Sequence, residues 1–159
     1  MKNLIFIAFL FISNGIYSQK DKLTVSGDWS KIITASDISD AGNDYQSSFV
    51  SLANQSLITI SPGGNSNNYV NINVRVHKED NAWHNNLNLK IRRTSNGTNG
   101  NAIISGGLSF QTITGVATTL FSCTGNHTLV PLQYEILGVS VLLPVQTYST
   151  TVVFTITNF

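Results

Sequence analysis

Residues that could carry out chemistry are few in this chain and match no established catalytic pattern. The sequence contains no G-x-S-x-G nucleophile elbow, no Gly-rich phosphate loop after a strand and no H-E-x-x-H helix. Cys123 and His127 have the spacing of metal ligands, but a zinc site needs four ligands and the other histidines are scattered. A nucleophilic Cys-His pair would need an orienting base, which the local sequence lacks. The sequence therefore predicts a protein that is not an enzyme, with no catalytic residue, no cofactor and no metal site.

Oxygen-bearing side chains do cluster in one segment, at Asp37, Asp40, Asn43 and Asp44 around Gly42. Such oxygens are the ligands that calcium prefers, although their spacing does not match an EF-hand loop. Capping and turn formation by the same residues is the favoured interpretation. The sequence leaves calcium binding open.

Aromatic side chains offer another kind of site. The candidates for ligand contact are Trp29, Tyr69, Trp83 and His84. Flat rings of this type can stack on the apolar faces of sugars, so these residues would suit a carbohydrate-binding module. Packing of the two tryptophans in the protein core is the competing interpretation, and it is favoured.

Composition narrows the range of partners. The chain of 159 residues has 9 Lys and Arg against 8 Asp and Glu, and only 11% of its residues are charged. This balance argues against nucleic-acid binding, which depends on clustered cations. A surface poor in charge also has little repulsion between copies, so self-association is favoured.

The N-terminal segment has the layout of a secretory signal peptide of bacterial type. A positively charged start is followed by an apolar run at 4–12 and a mostly small, polar segment at 13–18. The apolar run is shorter than the roughly 20 residues that a membrane-spanning helix needs. We expect cleavage after Ser18, with Gly15 as the competing position, and no integral membrane anchor. The expected organisation is a signal peptide at 1–18 and a single domain at 19–159, placed outside the cell or at the cell surface, with the periplasm as an alternative.

Alternation of apolar and polar residues predicts strands. Residues 70–77 place Val70, Ile72, Val74 and Val76 on one face, and residues 86–92 repeat the pattern with Leu87, Leu89 and Ile91. The polar connection at 79–81 predicts that these two strands pair as an antiparallel hairpin. Further short strands are predicted at 23–25, 32–33, 56–61, 102–104, 108–114, 118–121, 130–136 and 147–157.

This pattern predicts an all-β fold, specifically an immunoglobulin-like antiparallel β-sandwich. Apolar residues at helical spacing between 37 and 52 leave open either a short helix or an irregular crossover there. Because Cys123 is the only cysteine, no internal disulfide can form, and stability must come from packing and strand pairing. We interpret Cys123 as a buried, inert thiol, with a reactive thiol or an intermolecular bridge as the alternative.

The segment PVQTYSTTVVFTIT at 144–157 resembles the closing strand of spore coat protein U-like and fimbrial-subunit-like secreted β-sandwiches. The resemblance covers about the last tenth of the chain, and the Cys pairs typical of that family are absent. It implies an immunoglobulin-like sandwich that assembles into surface or extracellular fibres by lending a strand to its neighbour.

Leu23 and Val25 alternate like a strand near the N-terminus of the mature chain and are candidates for an assembly strand. This strand could pair with the sheet edge of a neighbouring copy or fold back onto its own sheet, and folding back is favoured. The expected function is a secreted structural or adhesive cell-surface protein, either a pilus- or fimbria-like subunit or a coat-like one. Its partners would be copies of itself or other envelope proteins. The alternative is a secreted carbohydrate-binding module with a glycan as its partner.

Overall fold

The computed structural model describes residues 22–38, 44–61, 71–98 and 103–158. Within these ranges the chain forms strands, one short 3-10 turn at Ala35–Asp37 and no α-helix. The strands are β1 (Lys22–Ser26), β2 (Ser48–Val50), β3 (Ser56–Ser61), β4 (Asn71–Ala82), β5 (Asn88–Arg93), β6 (Ile104–Ser105), β7 (Gln111–Thr112), β8 (Thr118–Thr124), β9 (His127–Leu137) and β10 (Ser149–Asn158).

The strands form two antiparallel sheets. The first sheet has the order β1-β3-β9-β5-β7, and β2 pairs with β9 at Glu135–Leu137, beyond the stretch of β9 that pairs with β3. The second sheet has the order β10-β4-β8-β6. The prediction of an all-β antiparallel sandwich is therefore confirmed, while the immunoglobulin-like classification stays a prediction.

The core lies between the two sheets and follows directly from the alternation in the sequence. In β4 the side chains of Ile72, Val74 and Val76 are buried, whereas their neighbours are exposed or half-buried. Burying one such side chain stabilises a fold by about 1.5–3 kcal/mol. From the first sheet the buried cluster includes Ile58, Ile60, Leu89, Ile91, Val130, Leu132 and Tyr134, and from the second it includes Ile72, Val74, Val76, Leu120, Phe121 and Cys123.

The predicted hairpin between residues 70–77 and 86–92 is wrong. The inward and outward faces of both segments are as expected, but β4 pairs with β8 and β10, and β5 pairs with β7 and β9. The chain between β4 and β5 crosses from one sheet to the other. The apolar faces of both strands border the same core, but from opposite layers. Alternation predicts which face is buried and says nothing about which strand lies next to it.

Other expectations meet mixed outcomes. Residues 32 and 33 form no strand, because none of the described strands pairs with them. Ile32 is 79% exposed. In the described part of 37–52 there is no α-helix, and only Asp37, at the end of the 3-10 turn, is helical. Ile38 and Tyr45 form an isolated bridge, and Phe49 lies buried in β2. The described residues after Asp37 follow the crossover alternative. Residues 39–43 lie outside the described part of the chain, as do the predicted signal peptide at 1–18 and Tyr69.

Candidate functional site

Trp29 lies beside an open surface groove of about 470 Å³. The groove is lined by Trp29, Lys31, Gln46, Ser48, Phe49 and Val50. These residues come from the segment that follows β1 and from β2 with the residues before it. Of the predicted aromatic contact residues, Trp29 thus lines this groove.

Trp29 is held at the groove by a ring stack and by two successive hydrogen bonds beneath that stack. The indole stacks on the ring of Tyr134, with 6.2 Å between ring centroids and 13° between ring planes. The hydroxyl of Tyr134 donates to Ser56 Oγ at 3.1 Å, and the Ser56 hydroxyl donates to the Gly27 carbonyl at 3.0 Å. Burial raises the pKa of Tyr134, so its hydroxyl stays protonated as a donor. These contacts fix the turn from which Trp29 projects.

Trp29 was a predicted contact residue, but the polar residues around Tyr134 beneath it were not predicted. Gln133 and Ser51 are buried beside Tyr134: the Gln133 amide donates to the Ser51 carbonyl at 2.9 Å, and the Ser51 hydroxyl accepts the Tyr134 backbone N–H at 2.9 Å. These residues are more than 80 positions apart in sequence. Buried polar side chains need partners, but the sequence pattern does not say where those partners are.

The charges at the groove compensate each other. The Lys31 ammonium donates to Asp37 Oδ1 at 2.8 Å and lies 5.1 Å from the centre of the Phe49 ring. The hydrogen bond from Lys31 and a second one from the Thr34 backbone lower the pKa of Asp37, so the carboxylate stays charged. An aromatic ring beside neutral amide and hydroxyl groups and a paired cation suits a neutral polyhydroxylated ligand better than a strongly charged one.

Trp83 and His84 do not belong to this groove, because neither is among the residues that line it. The Trp83 indole N–H donates to the Leu87 carbonyl at 2.9 Å, and its ring packs against the core. This hydrogen bond ties down the crossover from β4 to β5. His84 instead lies edge-on to Tyr148, with 6.0 Å between centroids. Trp83 and His84 therefore lie outside the Trp29 groove, and both tryptophans pack partly buried against the core.

Leu23 and Val25 lie in β1, which pairs with β3 of the same chain. Leu23 is opposite Ile60, and Val25 is opposite Ile58. Leu23 packs against the core, while Val25 is 40% exposed. Within a single chain the strand thus adopts the folded-back arrangement, and β1 forms the outer edge of the first sheet.

The remaining ionisable candidates are used within the fold. Cys123 is a buried free thiol in β8, and burial raises its pKa to about 11, which keeps it protonated and unreactive at neutral pH. His127 is buried in β9, with Nδ1 3.4 Å from the Asn96 carbonyl oxygen. Hydrogen bonds accepted by the Asp44 carboxylate lower its pKa. The largest contribution comes from the Ser140 side chain, and the next come from the Val141 and Tyr45 backbone N–H groups. No group of three potential metal-ligating His, Cys, Asp or Glu side chains occurs among the described residues, while Asp40 and Asn43 lie outside them.

A second feature is the strand that closes the other sheet. β10 pairs with β4 along its whole length, and no other described strand pairs with it. Val152, Phe154 and Ile156 face inward and pack partly buried against the core. The alternate residues Thr151 and Thr155 are exposed. The strand alternation was predicted, but its position at an edge was not.

Comparison with known proteins adds no relative: no family model, no curated protein and no solved structure matches this chain. Across 22–38, 44–61, 71–98 and 103–158, no helix is long and apolar enough to cross a membrane.

Proposed function

We propose that the protein is a secreted structural or adhesive component of the cell surface that acts by association and not by catalysis. The observation that carries this proposal is that each sheet ends in a strand with an open outer edge among the described residues, β1 in the first sheet and β10 in the second. Open edges offer backbone N–H and C=O groups to another chain, and soluble proteins usually block them. A charge-poor composition adds to the tendency of such a surface to associate.

Negative-stain imaging of the purified mature chain over a rising concentration series tests the structural role. We expect polymers or regular assemblies at high concentration, and surface fractions of the producing cell should contain the protein. A chain that stays monomeric throughout and is absent from the surface fraction would contradict the proposal.

A second function, binding of a neutral glycan, is supported by the groove at Trp29. Its exposed polar lining, Gln46 and the paired Lys31, surrounds an aromatic ring that is held in place by Tyr134. Aromatic stacking combined with a few oriented polar groups is the usual composition of a small-ligand site. Such binding is compatible with an adhesive surface protein.

Titration with soluble neutral oligosaccharides, followed by tryptophan fluorescence and calorimetry, tests this second function. Trp29→Ala should abolish binding. The matched control is Tyr148→Ala, which removes the ring beside His84 and leaves the groove intact. Loss of binding in Tyr148→Ala with retention in Trp29→Ala would move the site to the His84 cluster.

A further inference from the structure

The outer edge of β10 is an unpaired backbone edge in the described structure. Residues Ser149 to Asn158 pair with β4 on one side only. In an antiparallel ladder every second residue directs its N–H and C=O away from the partner strand. The outer side of β10 therefore carries a row of such groups that no described strand satisfies.

β10 has few of the features that normally block an edge strand. Its sequence, STTVVFTITN, contains no charged residue and no proline. Its one irregularity, a register shift between Ser149 and Thr150, lies at the start of the strand and leaves the rest regular. Charges, prolines and bulges are the usual protection against pairing with another chain. The stretch 150–157 lacks all three.

The side chains of β10 are also complementary to themselves. On the outer face Thr151 and Thr155 are equidistant from Val153, and on the inner face Val152 and Phe154 flank it. When two antiparallel strands keep their faces aligned, residues opposite each other lie on the same face of the sheet. A two-fold axis at Val153 therefore places threonine opposite threonine outside and valine opposite phenylalanine inside.

We propose that two copies of this chain pair antiparallel through β10, with the two-fold axis at Val153. The two second sheets then form one continuous sheet across the dimer. The half-buried side chains Val152 and Phe154 of each copy gain cover from the other copy. A self-complementary edge identifies a second copy as the occupant, because an isologous contact needs the same surface on both partners. This inference rests on the proposed structural role, since it names the surface through which subunits meet.

Sedimentation equilibrium on paired charge variants tests the pairing. Thr151 lies opposite Glu79 on β4, and Thr155 lies opposite Arg75. In the proposed dimer, position 151 of one copy lies opposite position 155 of the other. The variant Thr151→Lys/Thr155→Lys therefore places like charges opposite each other at two positions of the dimer. The variant Thr151→Lys/Thr155→Glu places opposite charges there. Within each chain its lysine also lies opposite Glu79 and its glutamate opposite Arg75.

The like-charge variant should raise the dimer dissociation constant about tenfold, and the opposite-charge variant should restore or strengthen association. The matched control is Thr119→Lys. Thr119 is exposed on β8 and lies opposite Arg75, on the side of β4 away from Thr155. Its lysine therefore has the same charged neighbour as a lysine at position 155, but it lies on an interior strand that cannot form the proposed contact. This control should associate like the wild type. All variants should keep the thermal transition of the wild type within a few degrees.

Cross-linking tests the position of the axis. In a Cys123→Ala background, Val153→Cys places the two introduced thiols directly opposite each other, so mild oxidation should give a disulfide-linked dimer. Thr157→Cys should not cross-link, because the two copies of position 157 lie far apart along the strands. Efficient cross-linking of Thr157→Cys but not of Val153→Cys would overturn the proposed register.

The outcomes separate this inference from the proposed function. If the wild type assembles and the like-charge variant assembles equally well, pairing through β10 is wrong and the structural role stands on another contact. If the wild type is monomeric at every concentration, the β10 pairing is wrong. If it is also absent from the cell surface, the structural role is wrong with it.

Discussion

The ring of Trp29 lies almost parallel to the ring of Tyr134, with 6.2 Å between their centroids. Tyr134 belongs to β9, a strand with neighbours on both sides in the first sheet, while Trp29 lies in the loop after the edge strand β1. The contact couples a surface groove to an interior strand of the first sheet. Changes in the hydrogen bonds of Tyr134 should therefore alter the position of Trp29.

Tyr134→Phe should lower the free energy of unfolding by about 1 kcal/mol, because it removes the buried hydrogen bond to Ser56. Urea denaturation followed by tryptophan fluorescence measures this loss. The control is Tyr148→Phe, whose hydroxyl bonds the Pro144 carbonyl at 2.6 Å in an exposed position and can be replaced by water. An equal loss in both variants would mean that the buried hydrogen bond of Tyr134 stabilises the fold no more than the exposed one of Tyr148.

Gly27→Ala should destabilise the protein by about 1–3 kcal/mol. Gly27 has a φ of +88°, and a Cβ there would lie 2.4 Å from the Gln55 carbonyl oxygen. Both the backbone conformation and the available space exclude a side chain. Gly115→Ala is the control, because the nearest atom to its added Cβ is the Lys78 carbonyl oxygen at 3.9 Å. Thermal denaturation should separate the two variants clearly; similar midpoints would contradict this account of the turn.

Ile72→Ala should cost about 2–5 kcal/mol, as expected for truncation of a fully buried aliphatic side chain. The neighbouring Asn71→Ala should have little effect because Asn71 is exposed. Asn73 would be a poorer control than Asn71, since its Oδ1 accepts a hydrogen bond from Ser122 at 2.6 Å. Denaturant midpoints for these variants check the face assignment of β4, and a large loss in Asn71→Ala would reverse it.

The thiol of Cys123 should make stability depend on pH in the alkaline range. Burial raises its pKa from 9.0 to about 11, because the thiolate would lose its hydration in the core. Since the folded-state pKa lies above the unfolded one, this contribution is complete below pH 9.0 and is lost as the pH rises through about 11. Urea midpoints measured over this window should fall less steeply in Cys123→Ala than in the wild type. Parallel curves would show that the thiol does not titrate in this way, and rapid labelling of the native thiol at neutral pH would contradict its burial.

Local patterns in the chain identified most of the elements. Strict alternation in 70–77 and 86–92 placed Ile72, Val74, Leu89 and Ile91 inward, and all four are buried. Phe154 also faces inward, but it is only partly buried because it lies on the edge strand β10. Burial at an edge depends on what lies beyond it, which no local pattern contains.

The candidate sites were less accessible to sequence reasoning. Trp29 could be singled out by residue type, and so could Trp83, yet one lines a groove and the other ties down a crossover through Leu87. The position of Trp29 depends on a partner distant in sequence, Tyr134 beneath it, whereas the hydrogen bond of Trp83 is local. Aromatic type alone reports that a ring is present and not which face of it is covered.

The sequence by itself determined the all-β class, the inward faces of β4 and β5 and the absence of an internal disulfide, because these depend on side-chain period and cysteine count. Only the tertiary structure decided that β4 and β5 lie in different sheets, that β1 folds back onto β3, and that β10 is an edge strand among the described strands. The physical reason is that a period of two residues specifies a face, whereas the choice of neighbour depends on backbone hydrogen bonds that are chemically alike in every strand. Packing of the whole core selects among those pairings.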